Sequence, residues 1–168
     1  MKEIINIRDA KLDDLRRIVE IYNLSIPGRI ATADLEEITV ESRLHWFHEH
    51  NTHSRPLWVL EEDDKTVGWL SFQSFYGRPA YLATAEVSIY LDPSVHGKKY
   101  AQRLLRQAIQ ACPTLQINTL LAFVFAHNVA SINLFNKFHF EKWAHLPRIA
   151  NMGGVERDLL ILGKRVNE

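Results

Sequence analysis

The stretch from Glu86 to Leu105, EVSIYLDPSVHGKKYAQRLL, constrains the fold more than any other part of the chain. Apolar residues alternate with other residues from Val87 to Leu91, which predicts a strand. Asp92-Pro93 ends this strand, because proline has no N–H to donate to a neighbouring strand. A short loop containing Gly97 follows, and a helix then begins. Its apolar residues recur with helical spacing at Ala101, Leu104, Leu105, Ala108 and Ile109.

The junction between this strand and this helix predicts an anion-binding site. The first N–H groups of a helix have no partner within the helix, and the helix dipole is positive at that end. Lys98 and Lys99 add positive charge in the same loop. We therefore expect a pyrophosphate group to bind here. The alternative is an ordinary strand-to-helix turn with solvated lysines.

The composition predicts one globular domain that covers residues 1–168. Hydrophobic residues make up 46% of the chain, and twenty basic residues balance twenty acidic ones. A net charge of zero gives no support for nucleic-acid or anionic-membrane partners, and no apolar run reaches the ~20 residues of a membrane span. The single cysteine, Cys112, cannot form an internal disulfide. This predicts a cytoplasmic protein with a buried, structural thiol.

Periodicity along the whole chain predicts a layered α/β (α+β) domain with the order β-α-α-β-β-β-α-β-α-β-β. The predicted strands span residues 3–8, 57–62, 66–73, 86–91, 119–126, about 140–145 and 156–163. Helices are predicted at 12–24 and 40–50, after the Gly97 loop, and from Asn128 onward. Residues 25–37 contain Pro27-Gly28 and little periodicity, so we expect a loop there.

The segment His96-Gly97-Lys98-Lys99-Tyr100-Ala101 resembles the acetyl-CoA pyrophosphate loop of the GNAT superfamily of acetyltransferases, Gln/Arg-x-x-Gly-x-Gly/Ala. His96 stands where Arg or Gln is usual, and Lys99 stands at the position of the central glycine. A lysine is tolerated there if its φ is negative. The predicted order of elements is also the order of the GNAT fold, mostly antiparallel with helices on both faces of the sheet.

Two further blocks resemble the phosphinothricin and methionine-sulfoximine N-acetyltransferase branch of this superfamily. These blocks are Arg78-Pro79-Ala80-Tyr81 and Thr84-Ala85-Glu86. The resemblance implies an enzyme that uses acetyl-CoA to acetylate a small amine, such as the α-amine of an amino acid or an analogue of one. It also implies a homodimer, for which Trp46, Phe47 and Trp143 are candidate interface aromatics; Trp46 and Phe47 are alternatively core residues.

The resemblance makes Glu86 the candidate catalytic base. A carboxylate at this position can take a proton from the substrate ammonium, and partial burial would raise its pKa towards the working range. The alternative is a solvated glutamate at the end of a strand. Arg78 and Tyr81 are candidate substrate contacts with Glu86, since an arginine can hold a carboxylate through two hydrogen bonds. For Arg78 the alternative is an exposed loop arginine.

The resemblance also implies a set of cofactor contacts. The segment Ile89 to Leu91 would pair with the pantetheine amides and offer an N–H to the thioester oxygen. Asn128 would bond the pantetheine arm, cap the following helix, or do both. The full predicted set is Ile89, Tyr90, Leu91, Gly97, Lys98, Lys99, Tyr100, Ala101, Gln102, Asn128 and Lys137.

Four departures from the family pattern keep a second reading open: His96 and Lys99 in the loop, and Phe135 and His139 further along the chain. Phe135 stands where many relatives have a tyrosine that protonates the departing thiolate, and His139 stands at a usual glycine position. A degenerate protein that binds acyl-CoA or a partner without turnover would fit these changes. We nevertheless expect turnover, because a thiol with a pKa of about 8.5 leaves tolerably as a thiolate.

A cluster of histidines gives little support for a metal site. His48-Glu49-His50 and the residues after it lack the H-E-x-x-H spacing that places two ligands on one helix face. We therefore expect no metal, and a solvated helix end that carries His45, His48, His50 and His53.

Overall fold

The computed structural model describes residues 2–167, which form a mixed sheet of seven strands with helices on both faces. The strands are β1 (Ile5–Asp9), β2 (Leu57–Glu62), β3 (Lys65–Ser74), β4 (Thr84–Leu91), β5 (Thr119–Phe125), β6 (Glu141–Asn151) and β7 (Glu156–Arg165). The helices are α1 (Leu15–Ser25), α2 (Leu44–His48), α3 (Tyr100–Ala111) and α4 (Val129–Lys137). The predicted fold class and order of elements are confirmed.

Most elements shift by one to three residues from their predicted bounds, and two differ more. The second helix was predicted over 40–50, but a 3-10 turn at Glu41–Arg43 precedes a short α2. β6 runs past Pro147 to Asn151, six residues further than predicted. A proline fits here because β6 is an edge strand and its register with β7 breaks between Leu146 and Ala150.

The strand order is β1-β2-β3-β4-β5-β7-β6, and every neighbouring pair is antiparallel except β4 with β5. These two parallel strands pair over three residues each, Thr84–Glu86 with Thr119–Leu121. Beyond that point they separate, while β4 stays paired with β3 as far as Leu91. The fold therefore contains a fork between β4 and β5 that opens towards the start of α3.

The two faces of the sheet carry different cores. On one face, α3 and α4 cover a large apolar cluster that includes Leu70, Phe72, Val87 and Leu104. On the other face, α1 covers a smaller cluster that includes Ile18, Ile21, Val59 and Trp69. Side chains of a strand alternate between faces, so β3 and β4 each contribute to both sides.

The thiol of Cys112 lies in the larger core, fully buried, 3.2 Å from the carbonyl oxygen of Ala108. Burial raises the pKa of this thiol to about 12, so it stays protonated and unreactive at neutral pH. The prediction of a buried, structural cysteine is confirmed. Within residues 2–167 no helix has the length and apolar character that crossing a bilayer requires.

Candidate active site

The free edge of β4 forms one wall of the fork. The N–H of Asp92 donates to Val67 of β3, and successive residues of a strand direct their backbone groups to opposite edges. The N–H and C=O groups of Ile89 and Leu91 therefore point away from β3, into the fork. Two of the three predicted pantetheine contacts on β4 thus present backbone groups that β5 does not use.

Glu86 lies at the base of the fork. It is the last β4 residue paired with β5, opposite Leu121, and on its other side it lies opposite Gln73 of β3. Within residues 2–167 no hydrogen bond or ion pair reaches its carboxylate. Burial raises the pKa of this carboxyl above its ordinary value, because the charged form is poorly solvated there. An unpartnered carboxylate with a raised pKa has the properties of a proton acceptor.

A cavity of about 150 Å³ lies over β3 and β4, on the face covered by α1 and α2. Five side chains from neighbouring positions of β3 and β4 form its floor: Trp69 opposite Tyr90, Ser71 opposite Ser88, and Gln73. Glu86 pairs with Gln73 and lies two residues before Ser88 on the same face of β4, beside the cavity and outside its lining. The cavity therefore leads from an aromatic end towards the carboxylate at the base of the fork.

Two residues of the loop before α3 have a left-handed backbone conformation. Gly97 has φ +88° and Lys99 has φ +65°, both in the left-handed region. The condition stated for tolerating Lys99, a negative φ, is not met: lysine adopts the conformation that glycine prefers at this position, at a cost of roughly 1–2 kcal/mol. Among the described residues, no acceptor contacts the backbone N–H groups of residues 99–102, so the first turn of α3 can donate to a ligand.

The two lysines of this loop differ. Nζ of Lys98 lies 2.8 Å from the carboxylate of Glu62 and 3.4 Å from that of Glu3, so its charge is already paired. Tyr100 also donates its hydroxyl to Glu62, and its ring is buried. Lys99 is exposed and makes no such contact in the described part of the chain. The positive charge that remains for a phosphate at this loop is therefore that of Lys99.

The remaining predicted cofactor residues border the same region. Asn128 caps α4, since its Oδ1 accepts the N–H of Ser131 at 3.1 Å. Nζ of Lys137 donates to Oε1 of Gln102 at 3.0 Å, which joins α4 to the first turn of α3. The capping role predicted for Asn128 is confirmed, and its cofactor contact stays a prediction.

Residues 29–31, part of the predicted loop at 25–37, cross the open end of the fork. Three successive carbonyl groups accept hydrogen bonds from side chains on both sides. Tyr90 of β4 donates to Ala31 at 3.1 Å, and beyond β5 His127 donates to Arg29 at 3.0 Å and Asn128 to Ile30 at 3.5 Å. No periodicity in residues 25–37 could reveal this, because the contacts are long-range in sequence.

Arg78 and Tyr81 lie on the exposed connection between β3 and β4. Tyr81 packs edge-on against Phe75 at 5.4 Å, and Tyr76 is 79% exposed beside it. Neither Arg78 nor Tyr81 lines the cavity over β3 and β4. Their roles as substrate contacts stay predictions.

His50, which follows α2, is partly buried and hydrogen-bonded, which corrects the expectation of a solvated histidine there, whereas His45, His48 and His53 are exposed as predicted. Nδ1–H of His50 donates to the carbonyl of Trp46 at 2.8 Å, and Nε2 accepts the hydroxyl of Ser71 at 2.6 Å. Burial lowers the pKa of His50, so the neutral ring fits both bonds. Among the described residues no three His, Cys, Asp or Glu side chains group to hold a metal.

The two departures in α4 have structural roles. Phe135 is buried and packs edge-on against Phe140 at 4.9 Å. His139 is exposed with φ +67°, and it ends the helix in the usual glycine conformation. Its N–H donates to Asn136 and that of Phe140 to Phe135, the paired bonds of a Schellman motif.

The open edge of β4 and the first turn of α3 present backbone groups that an extended, phosphate-bearing ligand could use, and the carboxylate of Glu86 lies at the base of the fork. Residues 15–140 match the sequence profile of the acetyltransferase (GNAT) family, and the chain belongs to this family.

Full-length relatives and a solved structure agree with this assignment. The chain is 46% identical to "Putative phosphinothricin acetyltransferase YwnH" of Bacillus subtilis (strain 168), over 97% of this chain and 100% of that protein. It is 26% identical to "L-amino acid N-acyltransferase MnaT" of Escherichia coli (strain K12), over 98% of this chain and 95% of that protein. Its fold matches a GNAT superfamily phosphinothricin acetyltransferase (Pat) from Sinorhizobium meliloti, solved in complex with AcCoA. That match has a TM-score of 0.91 at 26% identity and covers 98% of this chain and 89% of that chain.

Proposed function

We propose that this protein transfers an acetyl group from acetyl-CoA to the amine of a small molecule, the α-amine of an amino acid or of a phosphinothricin-like analogue. Family membership and the named activities of the relatives support this proposal. The observation that carries it is Glu86, a partly buried carboxylate without a partner among residues 2–167. It lies where the strands of the fork part and beside a cavity large enough for a small acceptor.

Glu86 acts as the general base in this proposal. It accepts a proton from the substrate ammonium, directly or through a water molecule. The neutral amine would then form the C–N bond as the C–S bond of the thioester breaks; the thiolate would take the electron pair, and the second proton of the amine nitrogen would pass to the thiolate or to water. Transfer is direct, without an acetylated residue of the protein.

The free edge of β4 stabilises the charge that develops during transfer. When bound, acetyl-CoA supplies an acetyl carbon activated as a thioester. The N–H groups of Ile89 and Leu91 point into the fork, where one of them would donate to the thioester oxygen. The first turn of α3 and Lys99 would hold the pyrophosphate. Asn128, Gln102 and Lys137 border the path between these two regions.

The acceptor contacts and the assembly state form the second part of this proposal. Arg78 and Tyr81 stand on the exposed connection between β3 and β4, close in sequence to Glu86, where Arg78 would hold the α-carboxylate of the acceptor. Trp46 and Phe47 pack against the smaller core, whereas Trp143 is 46% exposed on the edge strand β6. A homodimer and a cytoplasmic location stay predictions. Sedimentation of a monomer at micromolar concentration would refute the dimer.

One assay tests the activity. Purified protein is incubated with acetyl-CoA, a panel of amino acids and phosphinothricin, and a thiol reagent that detects released CoA. We expect thiol release that depends on the amine and a mass increase of one acetyl group on it. Calorimetry with CoA runs in parallel. Cofactor binding without acetylation of any amine would instead favour the degenerate, non-catalytic alternative, and no binding at millimolar concentration would exclude both.

A further inference from the structure

The cavity over β3 and β4 has one charged side chain in its lining. Of the described residues that border it, Arg43 alone is charged, and it comes from the 3-10 turn before α2. The carbon of its guanidinium lies 5.1 Å from the ring centre of Tyr22 and 5.6 Å from that of Trp46. These two rings hold the guanidinium at the cavity wall by cation–π contacts.

The guanidinium retains most of its hydrogen-bonding capacity. Nη2 of Arg43 lies 3.5 Å from the carboxylate of Asp34, which makes a long ion pair between partly exposed groups. That carboxylate also accepts the hydroxyl of Tyr22. Among residues 2–167 Arg43 donates no other hydrogen bond. An arginine has five N–H donors in a planar fork that matches an acidic group, so Arg43 is equipped to bind an anion in the cavity.

The position of Arg43 decides which anion it can reach. Trp46 packs on Trp69 at 5.4 Å, and Tyr22 packs on Tyr90 at 5.0 Å, so the guanidinium lies over the aromatic row of the floor. Glu86 belongs to the row two pairs away. Same-face residues on a strand are about 6.7 Å apart, so these two rows are separated by roughly 13 Å. With one hydrogen bond of about 3 Å at each end, an α-carboxylate about 3 Å from its amine covers roughly 9 Å, whereas a side-chain acid about 6 Å from the amine covers roughly 12 Å and fits this interval.

We propose that Arg43 binds an acidic group on the side chain of the acceptor, which makes amino acids with an anionic side chain, a carboxylate or a phosphinate, the preferred substrate class. This inference rests on the proposed function. In this arrangement the amine lies at the Glu86 row and the side chain runs over Ser71 and Ser88. Its acidic end meets the guanidinium over Tyr22 and Trp46.

Asp34 should weaken the binding of an anionic acceptor, whereas Arg43 strengthens it. Its carboxylate competes with a bound anion for Arg43 and repels it. Replacing Asp34 with Asn keeps an oxygen that can accept the hydroxyl of Tyr22 and removes the charge. An acceptor with an acidic side chain should then bind more tightly, whereas a neutral acceptor of the same size should be unaffected.

The test compares L-glutamate with L-glutamine, which have the same size and differ in side-chain charge. Initial rates with acetyl-CoA are measured for the wild type, R43Q, R43K and D34N, and calorimetry with CoA checks that each variant folds and binds the cofactor. We expect R43Q to raise KM for glutamate about tenfold or more, the scale of a hydrogen bond to a charged group. The KM for glutamine and kcat for both should change little. R43K should lie between the wild type and R43Q, because it keeps the charge and loses the planar fork. D34N should lower KM for glutamate alone.

Equal KM changes for both amino acids would show that Arg43 only supports α2, and would overturn the inference while leaving the proposed function intact. An unchanged glutamate KM in R43K and R43Q would overturn it equally. Should R43Q fail to fold, R43K and D34N still test the charge dependence from both directions. If no amine is acetylated by the wild type, the inference falls together with the proposed function.

Discussion

The two faces of the central strands β3 and β4 differ in role: one is packed in the apolar core, and the other borders the cavity. On the face towards α3 and α4, Leu70, Phe72 and Val87 are nearly or fully buried in one apolar cluster. On the opposite face, one residue away in each strand, Ser71, Gln73 and Glu86 stand in or beside a cavity. Because side chains alternate along a strand, stability and chemistry are assigned to neighbouring positions that point in opposite directions. Substitutions on the two faces should therefore separate the two properties.

The largest effect is expected for E86Q. This substitution keeps the shape of the side chain and removes its basicity, so kcat should fall about 10²–10⁴-fold while CoA affinity changes little. In the wild type kcat should rise with pH as Glu86 loses its proton, around a midpoint above the ordinary value for glutamate, because burial raises the pKa. Steady-state rates across the pH range check both statements. An unchanged kcat would remove Glu86 from the mechanism.

The same variant should be more stable than the wild type at neutral pH. Folding raises the pKa of Glu86, so the protonated carboxyl stabilises the folded protein at low pH, and this stabilisation is lost as the pH rises through the folded-state pKa. Glutamine does not ionise, so E86Q does not lose stability in this way. Chemical denaturation at pH 7 and at pH 5 should show an advantage for E86Q that shrinks as the pH falls. A stability advantage that grows at low pH would contradict the assigned cause.

The matching prediction on the packed face is L70A. Leu70 is fully buried and lies between Trp69 and Ser71, which face the cavity. Truncating a buried leucine to alanine typically costs about 2–5 kcal/mol of unfolding free energy. We expect this loss in denaturation experiments, with kcat per folded molecule close to that of the wild type at low temperature. A kcat loss as large as that of E86Q would show that the two faces are coupled.

A smaller effect is expected at Lys99 in the loop before α3. K99G removes both the left-handed strain and the charge, whereas K99A removes the charge and keeps the strain. Glycine should therefore be more stable than alanine by about 1 kcal/mol. Both variants should bind CoA with a weaker salt dependence than the wild type, because Lys99 supplies the unpaired charge. Thermal unfolding and calorimetry at two salt concentrations measure these differences, and equal stability of the two variants would argue against the strain.

The smallest effect on turnover is expected for F135Y. If protonation of the thiolate does not limit the reaction, a hydroxyl at this position leaves kcat and the alkaline part of the pH profile unchanged. Phe135 is packed against Phe140, so the added oxygen should instead cost stability, typically about 1–3 kcal/mol. An acceleration of more than about tenfold would show that a general acid is missing. H139G is the control variant: it removes the exposed histidine at the helix end and so tests whether that side chain takes part in the proton transfer.

The sequence predicts the order of elements well, because strands and helices can be recognised from local periodicity and turn residues. It also places the strand, glycine loop and helix that form one end of the fork. It does not reveal the cavity. Arg43, Trp46 and Tyr22 come from helical segments whose meeting with Trp69 and Tyr90 depends on packing across many residues of sequence. The sequence also could not predict the backbone conformation of Lys99. The residue stands at a position where the family pattern has glycine, but only the structure shows whether its φ is positive or negative.

The brief pairing of β4 with β5 has a mechanical consequence. Three residue pairs join a half-sheet of four strands to one of three, and the carbonyl groups of residues 29–31 tie the two halves again at the far end. A ligand that bonds to the open edge of β4 and to Asn128 would serve as a partial extra strand between the halves. Its binding would then contribute cohesion to the whole domain, so that saturation with donor raises the unfolding temperature as well as enabling transfer.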